Sequence, residues 1–215
     1  MVRDDARITY PLDLPAVTEP LAPNAAAFLA DAKARIDAWF ARPEHQSGIG
    51  FIPSDHVLVH AALAALRRTE PDARRLLEWG SGFGVVTGLA ASLGFDAYGI
   101  EIEADLVDVS RELLAAHRLP ATIAHGSFVP PGVAADDLAD LETRTVLGAP
   151  DAYDELGRDL DDFDVVFAYP WPTEEELYCD WFQAKADPGA VLLTYSRVEG
   201  VRAYRKLTRR GERRR

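Results

Sequence analysis

The sequence predicts an α/β chain built on a doubly wound, mainly parallel sheet with an N-terminal helical extension, and three observations lead there. Short apolar runs alternate with helical patterns from residue 76 onward. One run feeds straight into a glycine turn, Glu78-Trp79-Gly80-Ser81-Gly82-Phe83-Gly84, that opens a helix. An acidic residue, Glu101, closes the next run about 20 positions later, where nucleotide folds place a ribose-binding carboxylate. Gly80, Gly82 and Gly84 remove β-carbons where the chain bends and a ligand must come close. The helix that follows, Val85 to Leu93, turns its unsatisfied N–H groups to the same point.

A chain of 215 residues accommodates one α/β domain of about 150 residues plus an extension. The expected organisation is an N-terminal arm and helical lid over 1–70, an α/β domain over 71–208 with an acidic insertion at 128–162, and a basic tail over 209–215. A hydrophobic content of 48% with 27% charged residues is that of an ordinary globular protein. No run approaches the 18 or so apolar residues of a spanning helix, and the first residues lack a signal-peptide apolar core, so a cytoplasmic protein without membrane contact is expected. Cys179 stands alone in a helical pattern, which excludes an internal disulfide and reads as packing.

The net charge of −12 hides an asymmetry. Residues 201–215 hold 8 of the 23 Lys and Arg but only one acid, Glu212, leaving −19 on the rest of the chain. An acidic body disfavours non-specific nucleic-acid binding, whereas the arginine-rich end favours it.

Taken in order, residues 1–23 carry four prolines and no helical period and read as an extended arm. Asn24 is the expected cap of a helix over 25–41, whose Phe28, Leu29, Ala32, Ile36, Trp39 and Phe40 form one apolar face. After a proline- and glycine-containing loop, Ser54 is the expected cap of a second helix, Asp55 to Arg68, with Val57, Leu58, Ala61, Ala65 and Leu66 on its buried face. His56 and His60 are four apart, but no Glu follows the first and no third ligand is evident, so no metal is expected. Strand 76–80, helix 84–93, strand 96–102, helix 104–117 and strand 121–126 then make a βαβαβ run.

Residues 128–162 interrupt that alternation with 10 acids between Asp136 and Asp162, a solvated insertion or a substrate-recognition element. Phe163 to Tyr169 is apolar enough for a strand buried on both faces. Pro170-Trp171-Pro172 stops it, and Thr173 is the expected cap of a helix whose Glu174, Glu175 and Glu176 suit its positive end. A strand from Ala190 to Tyr195 follows, with Gly200 to Leu207 as an antiparallel partner.

Glu78-Trp79-Gly80-Ser81-Gly82-Phe83-Gly84 resembles the E-x-G-x-G-x-G first motif of class I S-adenosylmethionine (SAM) dependent methyltransferases, over about residues 50–196. The resemblance implies a Rossmann-like sheet, SAM as cofactor, and methyl transfer to an acceptor the sequence does not name, a small molecule or protein more than a nucleic acid. It implies that Gly80, Ser81, Gly82 and Gly84 cradle the cofactor, that Glu101 holds both ribose hydroxyls, and that Ile102, Ser127 and Phe128 border the adenine. Glu78 serves the cofactor's ammonium or caps nearby backbone N–H groups. Ala168-Tyr169-Pro170-Trp171 is similar to the Asp/Asn-Pro-Pro-aromatic motif of amine methyltransferases, with Ala168 at the polar position. Tyr169, Pro170 and Trp171 are therefore the acceptor-site candidates, or core aromatics, with Glu174 or Glu175 as rim carboxylates. Phe51-Ile52-Pro53-Ser54 resembles a segment that closes over SAM in some protein-lysine methyltransferases.

Two other readings remain. A dinucleotide-dependent oxidoreductase would need Gly or Ala at position 85 or 87, where the chain has Val85 and Thr87. A catalytically silent SAM-binding or interaction module is motivated by Ala168, by Ser127 where many members have an acid, and by the lack of an evident general base.

Overall fold

The protein was analysed as a computed structural model that describes residues 9–16, 20–45, 51–133, 145–146 and 150–207. The expected tail at 209–215, the loop at 46–50 and most of the insertion's acidic centre lie outside the described residues.

Seven strands form one sheet: β1 (Thr9–Pro11), β2 (Arg75–Trp79), β3 (Asp96–Glu101), β4 (Ala121–His125), β5 (Val165–Ala168), β6 (Val191–Ser196) and β7 (Gly200–Lys206). Their spatial order is β1-β7-β6-β5-β2-β3-β4. The five strands from β6 to β4 are parallel; β7 returns antiparallel from β6, and β1 pairs antiparallel with β7. This is the doubly wound sheet the alternation predicts, with the arm's β1 as an added edge.

Period-two alternation sends successive strand residues into two cores. Leu76, Ala97, Ile123, Val165 and Val191 face one layer, with α1 (Pro23–Phe40), α2 (His56–Thr69), α3 (Val85–Ser92) and α4 (Ala104–Ala116). Leu77, Tyr98, Ala124, Val166 and Leu192 face the other, with α5 (Ala152–Leu156) and α6 (Glu175–Lys185). The apolar face of α1 packs on α3: Phe28 fills the space above Gly88, where a β-carbon would lie 2.3 Å from its ring. Among the described residues no helix is long and apolar enough to cross a membrane.

Three helix starts differ from expectation. α1 begins at Pro23, before Asn24, with no side-chain cap; proline's missing N–H costs nothing in the first turn. Asp55, not Ser54, caps α2, its carboxylate accepting from the Val57 and Leu58 amides. Thr173 caps nothing: it sits in a turn at φ 80°, and α6 starts at Glu175. The buried face of α2 is also rotated from expectation to Val59, Leu63, Ala65 and Leu66. Val57 and Leu58 are 57% and 42% exposed.

Candidate cofactor and acceptor cavity

The sheet reverses its winding between β2 and β5: β3 and β4 build outward on one side, β5 and β6 on the other. Such a reversal opens a crevice beyond the carboxyl ends of the strands. A cavity of about 790 Å³ lies there. Glu78 to Ser81 after β2, Glu101 to Glu103 after β3 and Phe128 after β4 line one half. Tyr169 to Thr173 after β5 and Tyr195 to Val198 after β6 line the other. Phe51, Ile52, Ser54 and His56 from the segment leading into α2 complete the wall.

The glycine turn works as its spacing implies. Gly80, Gly82 and Gly84 lie at φ +70°, +53° and +66°, values a β-carbon would strain. A β-carbon on Gly82 would also meet the Phe51 ring at 2.3 Å, so the segment at 51–56 rests directly on the turn. Glu101 is buried, and three backbone amides hold it: Gly82 N–H donates to Oε2 at 2.6 Å, Ile102 and Glu103 N–H to Oε1 at 2.8 and 3.0 Å. Burial raises its pKa against those three hydrogen bonds.

Glu78 does cap backbone: its Oε2 accepts from the Thr87 amide and hydroxyl at 2.8 and 2.6 Å, tying β2 to the first turn of α3. It also lines the cavity, where burial pushes its pKa up to about 8. Both sequence readings of this residue are therefore compatible with one position. Ser81, a residue of the same half of the cavity wall, is 3% exposed, and its buried Oγ has no hydrogen-bond partner. A buried hydroxyl left unpaired costs about 1–3 kcal/mol unless a ligand satisfies it.

Ile102 and Phe128 lie in the cavity wall. Phe128 stacks on Trp79 with centroids 5.7 Å apart, and its carbonyl accepts from Tyr153, whose hydroxyl in turn accepts from Trp79 Nε1. Ser127 is buried beside the cavity but not in its wall; its Oγ accepts from Val129 N–H. Gly82 and Gly84 shape the turn from behind rather than lining the cavity. On the other side Tyr169, Pro170 and Trp171 all reach the wall, and Tyr169 meets Tyr195 edge to face at 4.8 Å.

Of the two rim carboxylates, Glu175 lines the cavity, whereas Glu174 is buried and accepts from Thr145 Oγ1 at 2.7 Å. That bond anchors Thr145 and Val146 of the acidic insertion in the wall. Sequence reasoning missed the β6–β7 turn, Ser196 to Val198, which carries no motif. It also weighed His56 only as a metal ligand. Among the described residues there is no cluster of His, Cys, Asp and Glu able to hold a metal ion.

This topology is a Rossmann-like α/β fold, and solved methyltransferases share it. An O-methyltransferase of Bacillus cereus solved in complex with SAH is similar over 85% of this chain and 70% of its own, with TM-score 0.52 and 18% identity. An RNA methyltransferase of Salinibacter ruber in complex with S-adenosyl-L-homocysteine is similar over 75% of this chain and 98% of its own, with TM-score 0.51 and 17% identity. No protein-family model and no curated protein matches the sequence.

Proposed function

We propose that the chain is a SAM-dependent methyltransferase that binds its cofactor over β2 and β3 and its acceptor over β5 and β6. The observation that carries this reading is the trio Glu78, Ser81 and Glu101: two buried carboxylates and an unpaired buried hydroxyl in one half of one cavity. A ligand hydroxyl suits Glu101, because three amides fix the carboxylate and leave about one of its four acceptor sites, on Oε2, for the ligand. An ammonium suits Glu78, since a cation beside a buried carboxyl favours its ionised form. Ile102 and Phe128 offer apolar faces to a flat ring.

When bound, SAM supplies a methyl group on a sulfonium, so the chemistry belongs to the cofactor and the protein contributes geometry. Tyr169, Pro170 and Trp171 position the acceptor, and Phe51 on the glycine turn helps exclude water. Calorimetric titration with SAM is the test. Wild type should bind, and Glu101→Ala should bind about 10- to 100-fold more weakly, the loss of one charge-assisted hydrogen bond. Absence of binding by the wild type would end the proposal. Binding without transfer to any component of a cell extract would instead favour a silent SAM-binding module.

A further inference from the structure

We infer that His56 is the proton acceptor for a hydroxyl group on a largely apolar acceptor molecule, so that the product is an O-methyl compound; this rests on the methyltransferase reading above. His56 occupies the first position of α2, and its side chain lies in the cavity wall. Its place along that wall follows from its neighbours. Phe51 rests on Gly82 just after β2, and Leu58 lies 3.2 Å from where a β-carbon would stand on Gly200, the first residue of β7. Between β2 and β7 the sheet holds only β5 and β6. The segment from 51 to 58 therefore crosses the ends of those two strands and carries His56 over the acceptor half, where Tyr169 and Tyr195 lie.

Among the described residues neither ring nitrogen of His56 has a hydrogen-bond partner. A structural histidine in a core is normally tied down through at least one nitrogen. Burial lowers its pKa, while Asp55 beside it on α2 pulls the other way, so the ring is neutral near pH 7. The charged and titratable groups of that half are Tyr169, Glu175, Tyr195 and Arg197. Glu175 accepts weakly from Thr194 Oγ1 at 3.5 Å, and its charge acts on the Arg202 guanidinium, which pairs with Glu199.

Phenols and alkylammonium ions are similarly acidic, so the moment at which the proton must leave decides between oxygen and nitrogen: an ammonium has no lone pair until it has lost it. An alkylammonium near pKa 10.4, roughly the lysine value, hardly yields its proton to an imidazole below 6.5. A hydroxyl, by contrast, loses its proton as the new bond forms and gains from a base held in place. In that step the acceptor oxygen bonds the methyl carbon as the carbon–sulfur bond breaks, the sulfonium becomes a neutral thioether, and the hydroxyl proton passes to the free imidazole nitrogen. Water at the open mouth then takes the proton. The mouth is apolar: Ile52, Val146 and Val198 line it at 38%, 51% and 94% exposure. Exposed apolar side chains gathered at one opening suit an apolar body on the acceptor.

The experiment uses phenol, para-cresol and para-nitrophenol as acceptors with SAM, and benzylamine as the matched amine. Wild type should methylate the phenols at oxygen, with kcat rising to a plateau through an apparent pKa below that of free histidine. His56→Gln should lower kcat on the order of 100-fold at little change in KM. That loss should shrink for para-nitrophenol, which is far more acidic than phenol and needs less help from a base. NMR should show the His56 ring neutral at pH 7 in the SAH complex, and calorimetry should show equal SAH affinity in wild type and variant. Methylation of benzylamine in preference, an unchanged kcat, an equal loss across the phenols, or SAM binding without methylation of either series would each overturn the inference. Failure to bind SAM or SAH would overturn the methyltransferase reading itself.

Discussion

Replacing Glu78 with Gln probes the charge stored in the cavity floor. The side chain is 5% exposed, and burial pushes its pKa from an ordinary 4.5 up to about 8, against the pull of the two Thr87 hydrogen bonds. Between those values the folded protein keeps a proton that the unfolded chain has released, so stability falls as pH rises. The protonated form's advantage is whole below 4.5, is lost progressively across the window and is gone above about 8. At roughly 1.4 kcal/mol per pH unit the full loss is about 5 kcal/mol, an upper bound because the cavity admits water. Gln has the same shape and an acceptor for Thr87 but does not titrate. Urea unfolding of both proteins at about pH 5 and about pH 8.5 isolates the effect, since every other carboxyl is common to both. The variant should gain on wild type by about 2–4 kcal/mol between those conditions. Parallel profiles would refute the reasoning. A cationic ligand should reverse the effect by drawing the proton off, so SAM binding near pH 7 should release protons in wild type and not in the variant, read from calorimetry in buffers of different ionisation enthalpy.

Three further changes test the framework around the site. Gly88→Ala drives a β-carbon to 2.3 Å from the Phe28 ring and 3.0 Å from Leu114, and should cost about 1–3 kcal/mol in denaturant unfolding; wild-type stability would refute the close approach of α1 to α3. Asp55→Ala removes two amide hydrogen bonds at the start of α2 and should cost about 1 kcal/mol, with an unchanged midpoint as the contrary result. Thr173→Gly relieves a β-branched residue at φ 80° and should stabilise by about 1 kcal/mol in thermal melting; a lower midpoint would show that the Thr side chain matters more than the strain.

The parallel sheet and its glycine turn were legible because their signals are local. A buried strand is a run of apolar residues, and the turn needs glycine at fixed offsets, so neither depends on distant contacts. Where the structure departs from the sequence reading, a partner far along the chain decides. α2 buries Val59 and Leu63 instead of Val57 and Leu58 because its far side packs on α3 and β7 while its first turn stands at the cavity mouth. Ser54 and Asp55 are both good caps in sequence, and only the backbone path shows which one the Val57 and Leu58 amides meet. Thr173 looked like a cap because a glutamate run followed it, yet the turn from Trp171 to Glu174 consumes it. The pairing of β1 with β7 joins residues 9–11 to 204–206, a separation no periodicity reports.

The same distinction explains why the cofactor half of the cavity was readable and the acceptor half was not. Glu78 and Glu101 belong to two adjacent parallel strands and Ser81 to the glycine turn after the first, so each appears at a fixed distance from that turn. Their spacing is therefore written into the chain. The acceptor half is assembled from four unrelated places: the segment entering α2, the end of β5, the β6–β7 turn, and Thr145 held through Glu174. Nothing constrains their mutual spacing in sequence, so a residue such as His56 acquires its meaning only when Phe51 settles on Gly82 and Leu58 on Gly200. It follows that substitutions in the glycine turn and in the 51–58 segment should be coupled. Gly82→Ala displaces Phe51 and with it the path of His56, so its effect on a His56→Gln background should fall well short of its effect alone on turnover, while its effect on SAM affinity should be the same in both. Independent effects on turnover would mean that Phe51 does not set the position of His56, and the seat of the imidazole would then have to come from Asp55 and the start of α2 alone.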